Sequence, residues 1–270
     1  MAHRSPPYSR YAAVYDLIGQ RAFGERIAEA ALDWLAERGV TPHRAADLAC
    51  GTGAATLVLA ATGAATIGVD RSAEMLACAE RSAAAAGQSI TWLEQDLRDL
   101  SLPWNVDLVT SFFDSVNYLV DDDDLATVFA RVASALAEGG FFVFDLNTRR
   151  RFAEGWGNTT VIAADRDDLF GVYRSWFVPE TNLSPLVLTF FHRRDDGMTW
   201  ERFDEEHVER AYEIEEVEAT LTAAGLRVVE VRAFHDGGGV LGGRGTEESE
   251  RVVFFVQRPP ASSDPAPGSG

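Results

Sequence analysis

Apolar positions in this chain recur in two alternating rhythms. From Phe23 to Arg38, Ile27, Ala30, Ala31, Trp34 and Leu35 fall on one helical stripe, and Gly39 supplies a left-handed stop. A short apolar run, Ala45–Ala49, predicts a strand, followed by a glycine loop and the helical stretch Ala54–Ala61. Thr66–Val69 predicts a second strand ending at Asp70, and Ser72 is placed to cap a helix that runs to Gly87. Further strands are expected at Ile90–Leu93, Val106–Thr110 and Phe141–Phe144, with a helix over Asp122–Glu138 before the last of them. Apolar strands alternating with helices predict a parallel sheet covered on both faces.

After Asp145 the rhythm changes to period two. Phe170–Val178, Leu186–Arg193 and Met198–Phe203 read as strands, the last two joined by the turn Asp195-Asp196-Gly197. Glu213–Ala224 returns to helix, and Leu226–Phe234 and Arg251–Gln257 predict two final strands. Six glycines between Gly237 and Gly245 read as a flexible connection rather than a phosphate cradle, because no helix follows. The expected architecture is α/β: a doubly wound, seven-stranded, mostly parallel sheet with an inserted antiparallel β lid. Its core spans 1–150 and 211–258, the lid 151–210, and a disordered tail 259–270.

Composition narrows the chemistry. A net charge of −18, with no lysine at all, argues against nucleic acid as a partner, since phosphate binding needs cations. No apolar run approaches the roughly 20 residues that cross a bilayer, and the N-terminal segment lacks a secretory pattern. Two cysteines, Cys50 and Cys78, make no disulfide framework and suggest a reducing, cytoplasmic compartment. Asp121–Asp124 reads as a helix N-terminus favoured by the macrodipole, and no metal is expected.

The informative stretch is Asp47-Leu48-Ala49-Cys50-Gly51-Thr52-Gly53, between a strand and a helix. Gly51 and Gly53 let main chain approach a ligand, and Asp70 at the end of the next strand is placed to take both ribose hydroxyls. A dinucleotide fingerprint wants a third glycine where Thr56 stands. That departure, with the missing lysine, counts against a nicotinamide oxidoreductase. A non-catalytic nucleotide-binding module, its lid pocket filled by its own aromatics, is a further alternative.

These residues, with Ser72-Ala73-Glu74-Met75-Leu76, Gln95-Asp96-Leu97-Arg98-Asp99-Leu100 and the block from Ala137 to Asp145, resemble the class I S-adenosylmethionine-dependent methyltransferases. The resemblance is strong from Tyr8 to Asp145 and continues weakly to the end. It implies S-adenosylmethionine as cofactor. Asp47, Ala49 and the Gly51–Gly53 backbone would hold its methionine end, Asp70 with neighbouring Arg71 its ribose, and Met75 its adenosine. Asp96 would accept from the adenine amino group, the Leu97 amide would face the ring, and Ser111 and Phe112 would flank the sulfonium. Tyr11 and Tyr15 belong to a segment that looks like the one folding over the cofactor in small-molecule N-methyltransferases.

The block Phe112–Leu119 is similar to one in amino-sugar N-methyltransferases that carries a histidine where this chain has Tyr118. The lid segment Arg202–Arg210, with His207, also looks like theirs. Tyr118 and His207 are therefore the candidate catalytic residues. Trp156, Tyr173, Trp176 and Trp200 are candidates for an aromatic wall around a cationic amine. The expected reaction is methyl transfer to a small-molecule acceptor, with an amine favoured. A metal-dependent O-methyltransferase using Asp114, Asp145 and Asn147 is the alternative within the family. Oligomeric state is left open.

Overall fold

A computed structural model describes residues 4–194 and 196–260. The chain opens with a two-residue strand β1 (Arg4–Ser5), a helical turn α1 (Ala12–Tyr15) and helix α2 (Gln20–Ala36). It then alternates: β2 (Arg44–Leu48), α3 (Ala54–Ala61), β3 (Ala65–Asp70), α4 (Ala73–Ala85), β4 (Thr91–Glu94), β5 (Val106–Ser111), α5 (Asp124–Ala135) and β6 (Leu136–Asn147). Four strands follow in succession: β7 (Thr159–Asp165), β8 (Leu169–Ser175), β9 (Leu183–Arg193) and β10 (Trp200–Arg210). Helix α6 (Ile214–Ala223) and strands β11 (Arg227–His235), β12 (Val240–Arg244) and β13 (Arg251–Gln257) complete the fold.

Among the described residues the strands form two sheets. The larger runs β12-β11-β13-β6-β5-β2-β3-β4, with β4, β3, β2, β5 and β6 parallel and the remaining three antiparallel. Side-chain alternation divides its two faces. On β6 and β13, Phe142, Phe144, Phe254 and Val256 pack with α5 and α6, while Phe141, Val143, Val253 and Phe255 pack with α2 and α3. Phe144 and Phe254 stack across strands at 4.9 Å, and Trp34 of α2 stacks on Phe255 at 3.9 Å. Both faces are thereby buried, which is why these strands carry continuous apolar runs.

The doubly wound fold and inserted β lid stand, but the main sheet has eight strands rather than seven. The extra one is β12, inside the glycine-rich segment expected to be a flexible connection; it pairs antiparallel with β11. The second sheet runs β1-β10-β9-β8-β7. Two of its members went unforeseen. β7 sits at the sheet edge with Ile162 61% exposed, so no alternation marks it. β1 pairs with β10, placing Ser5 opposite Glu205 and bringing the N-terminal segment onto the lid. The expected tail beyond residue 260, and Asp195 of the proposed turn, lie outside the described residues. Among the described residues no helix is long and apolar enough to cross a membrane.

Candidate active site

A cavity of about 250 Å³ opens at the C-terminal ends of β2, β3, β4 and β5, where ligands sit in open α/β sheets. Its floor is the loop after β2. Ala49, Gly51 and Gly53 all have left-handed φ, +51°, +54° and +82°, so the chain coils tightly from strand into α3. The two glycines serve different needs. A Cβ on Gly53 would meet Ala79 and Trp92 at about 3 Å, so Gly53 lets α3 seat against its neighbours. A Cβ on Gly51 would meet no protein atom within 4 Å and would stand in the cavity. That vacancy suits a ligand laid against main chain.

Carboxylates brace this loop. Asp70 accepts from the Gly51 amide and the Ser72 amide, both at 2.8 Å; burial nonetheless pushes its carboxyl up. Asp47 accepts from Thr56 at 2.6 Å and Thr110 at 2.7 Å. Burial raises its carboxyl to about 6 despite those donors. Thr56, at the position where a third glycine was sought, is thus the hydroxyl that holds Asp47. Asp96 caps the short turn Leu97–Asp99 by accepting from the Arg98 amide, and the Arg98 guanidinium beside it holds its carboxyl below the usual range. Ser72 caps α4 by accepting from the amide of Met75.

The candidate residues divide by position. Tyr15, Asp47, Ala49, Gly51, Asp70, Arg71, Met75, Asp96, Leu97, Phe112 and Tyr118 all border the cavity. Tyr11, Gly53, Ser111 and His207 do not. Tyr11 is buried in the lid's own apolar cluster, its hydroxyl paired with Tyr173. Ser111, at the end of β5, is buried with its hydroxyl unpartnered. His207 stands behind Tyr118, with Nδ1 3.0 Å from the phenol oxygen. None of Trp156, Tyr173, Trp176 and Trp200 lines the cavity; the aromatic surface there comes from Tyr8, Tyr15, Phe112, Phe113 and Tyr118.

Beyond β5 the backbone is strained and firmly held. Phe113 and Asp114 both adopt left-handed φ, +63° and +54°, and donate their amides to Asp145 at 2.6 and 3.1 Å. Buried Arg251 pairs with both Asp114 and Asp145. The place a divalent cation would take between those acids is therefore filled by a guanidinium. Tyr118 ends the turn Ser115–Tyr118, pinned by Asn117, whose amide donates to the carbonyls of Asn147 and Arg210. Burial pushes the Tyr118 phenol well above its ordinary value, and those of Tyr8 and Tyr15 likewise.

A family model for a methyltransferase domain matches residues 45–140. YqeM of Bacillus subtilis (strain 168), named as a methyltransferase, is 31% identical over 93% of this chain and 97% of its own length. The crystal structure of an S-adenosylmethionine-dependent methyltransferase from Clostridium acetobutylicum ATCC 824 superposes with a TM-score of 0.80 at 30% identity, covering 93% of this chain and 98% of that one. The chain belongs to the S-adenosylmethionine-dependent methyltransferases. The dTDP-3-amino-3,4,6-trideoxy-alpha-D-glucopyranose N,N-dimethyltransferase of Streptomyces venezuelae is 31% identical over 81% of this chain and 90% of its own length.

The methyltransferase thus takes S-adenosylmethionine as cofactor, and the vacancy over Gly51, beside the Asp70 carboxylate, fits such a ligand. Sequence reasoning missed several residues at the site. Thr56 and Thr110 fix Asp47, Asn117 fixes the Tyr118 turn, and Glu205 lies beneath the N-terminal strap. Only Glu205 left a usable trace. In β10 the polar residues Glu205, His207 and Glu209 alternate inward while Val208 faces out, an inversion of the ordinary strand pattern.

Proposed function

We propose that this methyltransferase acts in the cytoplasm on the amino group of a small molecule, with Tyr118 managing the acceptor's proton. The observation that carries the reading is the Tyr118 phenol, which borders the cavity on one side and meets His207 Nδ1 at 3.0 Å on the other. The cavity wall is also acidic: Asp47, Asp70, Asp96, Asp121 and Asp124 face Arg71 and Arg98, a balance that favours cationic ligands. Its aromatic side chains offer faces to an ammonium group. The similarity to a sugar N,N-dimethyltransferase supports an amine over a hydroxyl.

When bound, the cofactor supplies a methyl group on a sulfonium, a leaving group that needs no activation. The protein's share is alignment and proton handling. Gly51 main chain, Asp70, Met75, Asp96 and Leu97 would hold the adenosine part, and Asp47 beneath the loop would keep its shape. Holding two reactants in line is worth effective molarities of about 10⁵–10⁸ M. An ammonium acceptor must lose a proton before it can attack. Tyr118 oxygen would accept that proton while its own passes to His207, so the buried phenol never carries a full negative charge.

A mass-shift screen of amines and phenols with isotopically labelled cofactor tests this. Labelled methyl is expected on amines. Labelling confined to hydroxyl acceptors would overturn the assignment.

A further inference from the structure

Glu205 is wholly buried on β10, yet among the described residues no arginine pairs with it. Burying a carboxylate without compensation costs several kcal/mol. Compensation here comes from the N-terminal strap. The amides of Tyr8, Arg10 and Tyr11 donate to the Glu205 oxygens at 2.7, 2.7 and 2.9 Å. Tyr8 adopts φ +63°, a conformation uncommon for a bulky residue, and its amide is one of those three donors. A cup of backbone amides around an anion is the expected device for holding such a segment.

The same carboxylate also meets the lid histidine. Glu205 Oε2 lies 3.2 Å from His207 Nε2, and His207 Nδ1 lies 3.0 Å from the Tyr118 phenol. The Tyr8 hydroxyl donates to the Tyr118 oxygen at 2.8 Å, and the Tyr8 ring sits edge-on to His207 at 4.8 Å. An ionised carboxylate only accepts, so the shared hydrogen on the Glu205 side belongs to Nε2. That tautomer, assigned from the network, leaves Nδ1 as an acceptor for the Tyr118 O–H.

We propose that Glu205 is a positioning residue: it latches residues 8–11 over the cofactor cavity and, through the same oxygens, sets the His207 tautomer that lets Tyr118 donate. Strap closure and readiness of the proton path are then one event. An open strap would strip Glu205 of its backbone donors and remove Tyr8 from Tyr118. The tautomer's catalytic use rests on the amine reading above; the latch itself does not.

Two measurements on the full-length protein, saturated with S-adenosylhomocysteine, test this without any acceptor. The first is nitrogen-15 NMR of His207, expected to show the Nε2–H tautomer in the wild type; an Nδ1–H form would overturn the proposal. The second is amide hydrogen exchange at residues 8–11. In Glu205→Gln their exchange is expected to quicken by about tenfold or more, the cost of losing a charged acceptor. Tyr118→Phe keeps the three amide donors to Glu205 and loses only the Tyr8 hydroxyl bond, so exchange at residues 8–11 is expected to rise far less than in Glu205→Gln. Unchanged protection in Glu205→Gln, or equal loosening in Tyr118→Phe, would sink the idea. If Glu205→Gln does not fold, the wild-type tautomer still decides. Failure of the amine screen with both results as expected would leave the latch standing and remove only its catalytic use.

Discussion

The carboxylate of Asp70 accepts the amide hydrogen of Gly51 at 2.8 Å across 19 residues of chain. The acid proposed to grip the ribose thus also holds the loop proposed to carry the nucleoside. Asp70→Asn would keep one acceptor but turn an amide donor toward a backbone amide. Losing a hydrogen bond to a charged acceptor costs about 1.5–3 kcal/mol. Affinity for S-adenosylhomocysteine is expected to fall by at least about tenfold, together with a lower melting temperature. Wild-type affinity by calorimetry would contradict both roles.

Tyr118→Phe removes the oxygen between Tyr8 and His207 while keeping the ring that fills the turn. Turnover is expected to drop by about 10²–10⁴, the usual worth of a placed proton acceptor. Affinity for S-adenosylhomocysteine should hold, because the loop after β2 is untouched. Equal loss of affinity and turnover would mean that the phenol binds cofactor instead.

Burial pushes the Asp47 carboxyl from the usual 3.8 up to about 6. The folded form therefore holds a proton more tightly than the unfolded chain. Stability from that preference is fully present below about pH 4 and is lost as pH rises through about 6, amounting to about 3 kcal/mol. Asp47→Asn does not titrate, so its unfolding free energy relative to wild type should improve by about that amount between pH 4 and pH 7. Urea melts at the two pH values check this, and a difference that stays constant with pH would refute it.

Ala49 adopts φ +51°, where a side chain costs about 1–2 kcal/mol and glycine costs almost nothing. Ala49→Gly gives back some of that gain as unfolded-state entropy. A net stabilisation of about 0.5 kcal/mol is expected, seen as a small rise in melting temperature. A clear fall would show that the methyl group packs against something the loop needs.

Local rules were enough for the parallel half of the main sheet. β2, the glycine turn, α3 and Asp70 follow each other so closely that strand, loop and acid are read from adjacent residues. The lid resisted for physical reasons. β7 is an edge strand whose large apolar residues, Val161 and Ile162, face solvent, and two of the five residues of β12 are glycine, so neither shows a clear buried face. The acid run Asp204-Glu205-Glu206 has the composition of a solvated surface, yet Glu205 is buried by a segment some two hundred positions away. That partnership depends on β1 pairing with β10, a long-range contact that no local pattern encodes. For the same reason the loop residues that border the cavity were legible, with the Asp70 that braces them, and the distant Asn117 and Glu205 were not.

The clear space above Gly51 has a practical corollary for anyone engineering this scaffold. An alanine at that position would trouble the empty protein only through its left-handed backbone, a penalty of about 1–2 kcal/mol that a stabilising change elsewhere could hide. Its methyl would nevertheless stand where the cofactor is proposed to lie. Libraries sorted by thermal tolerance or expression would wave such clones through, so selection here has to be run with the nucleoside present.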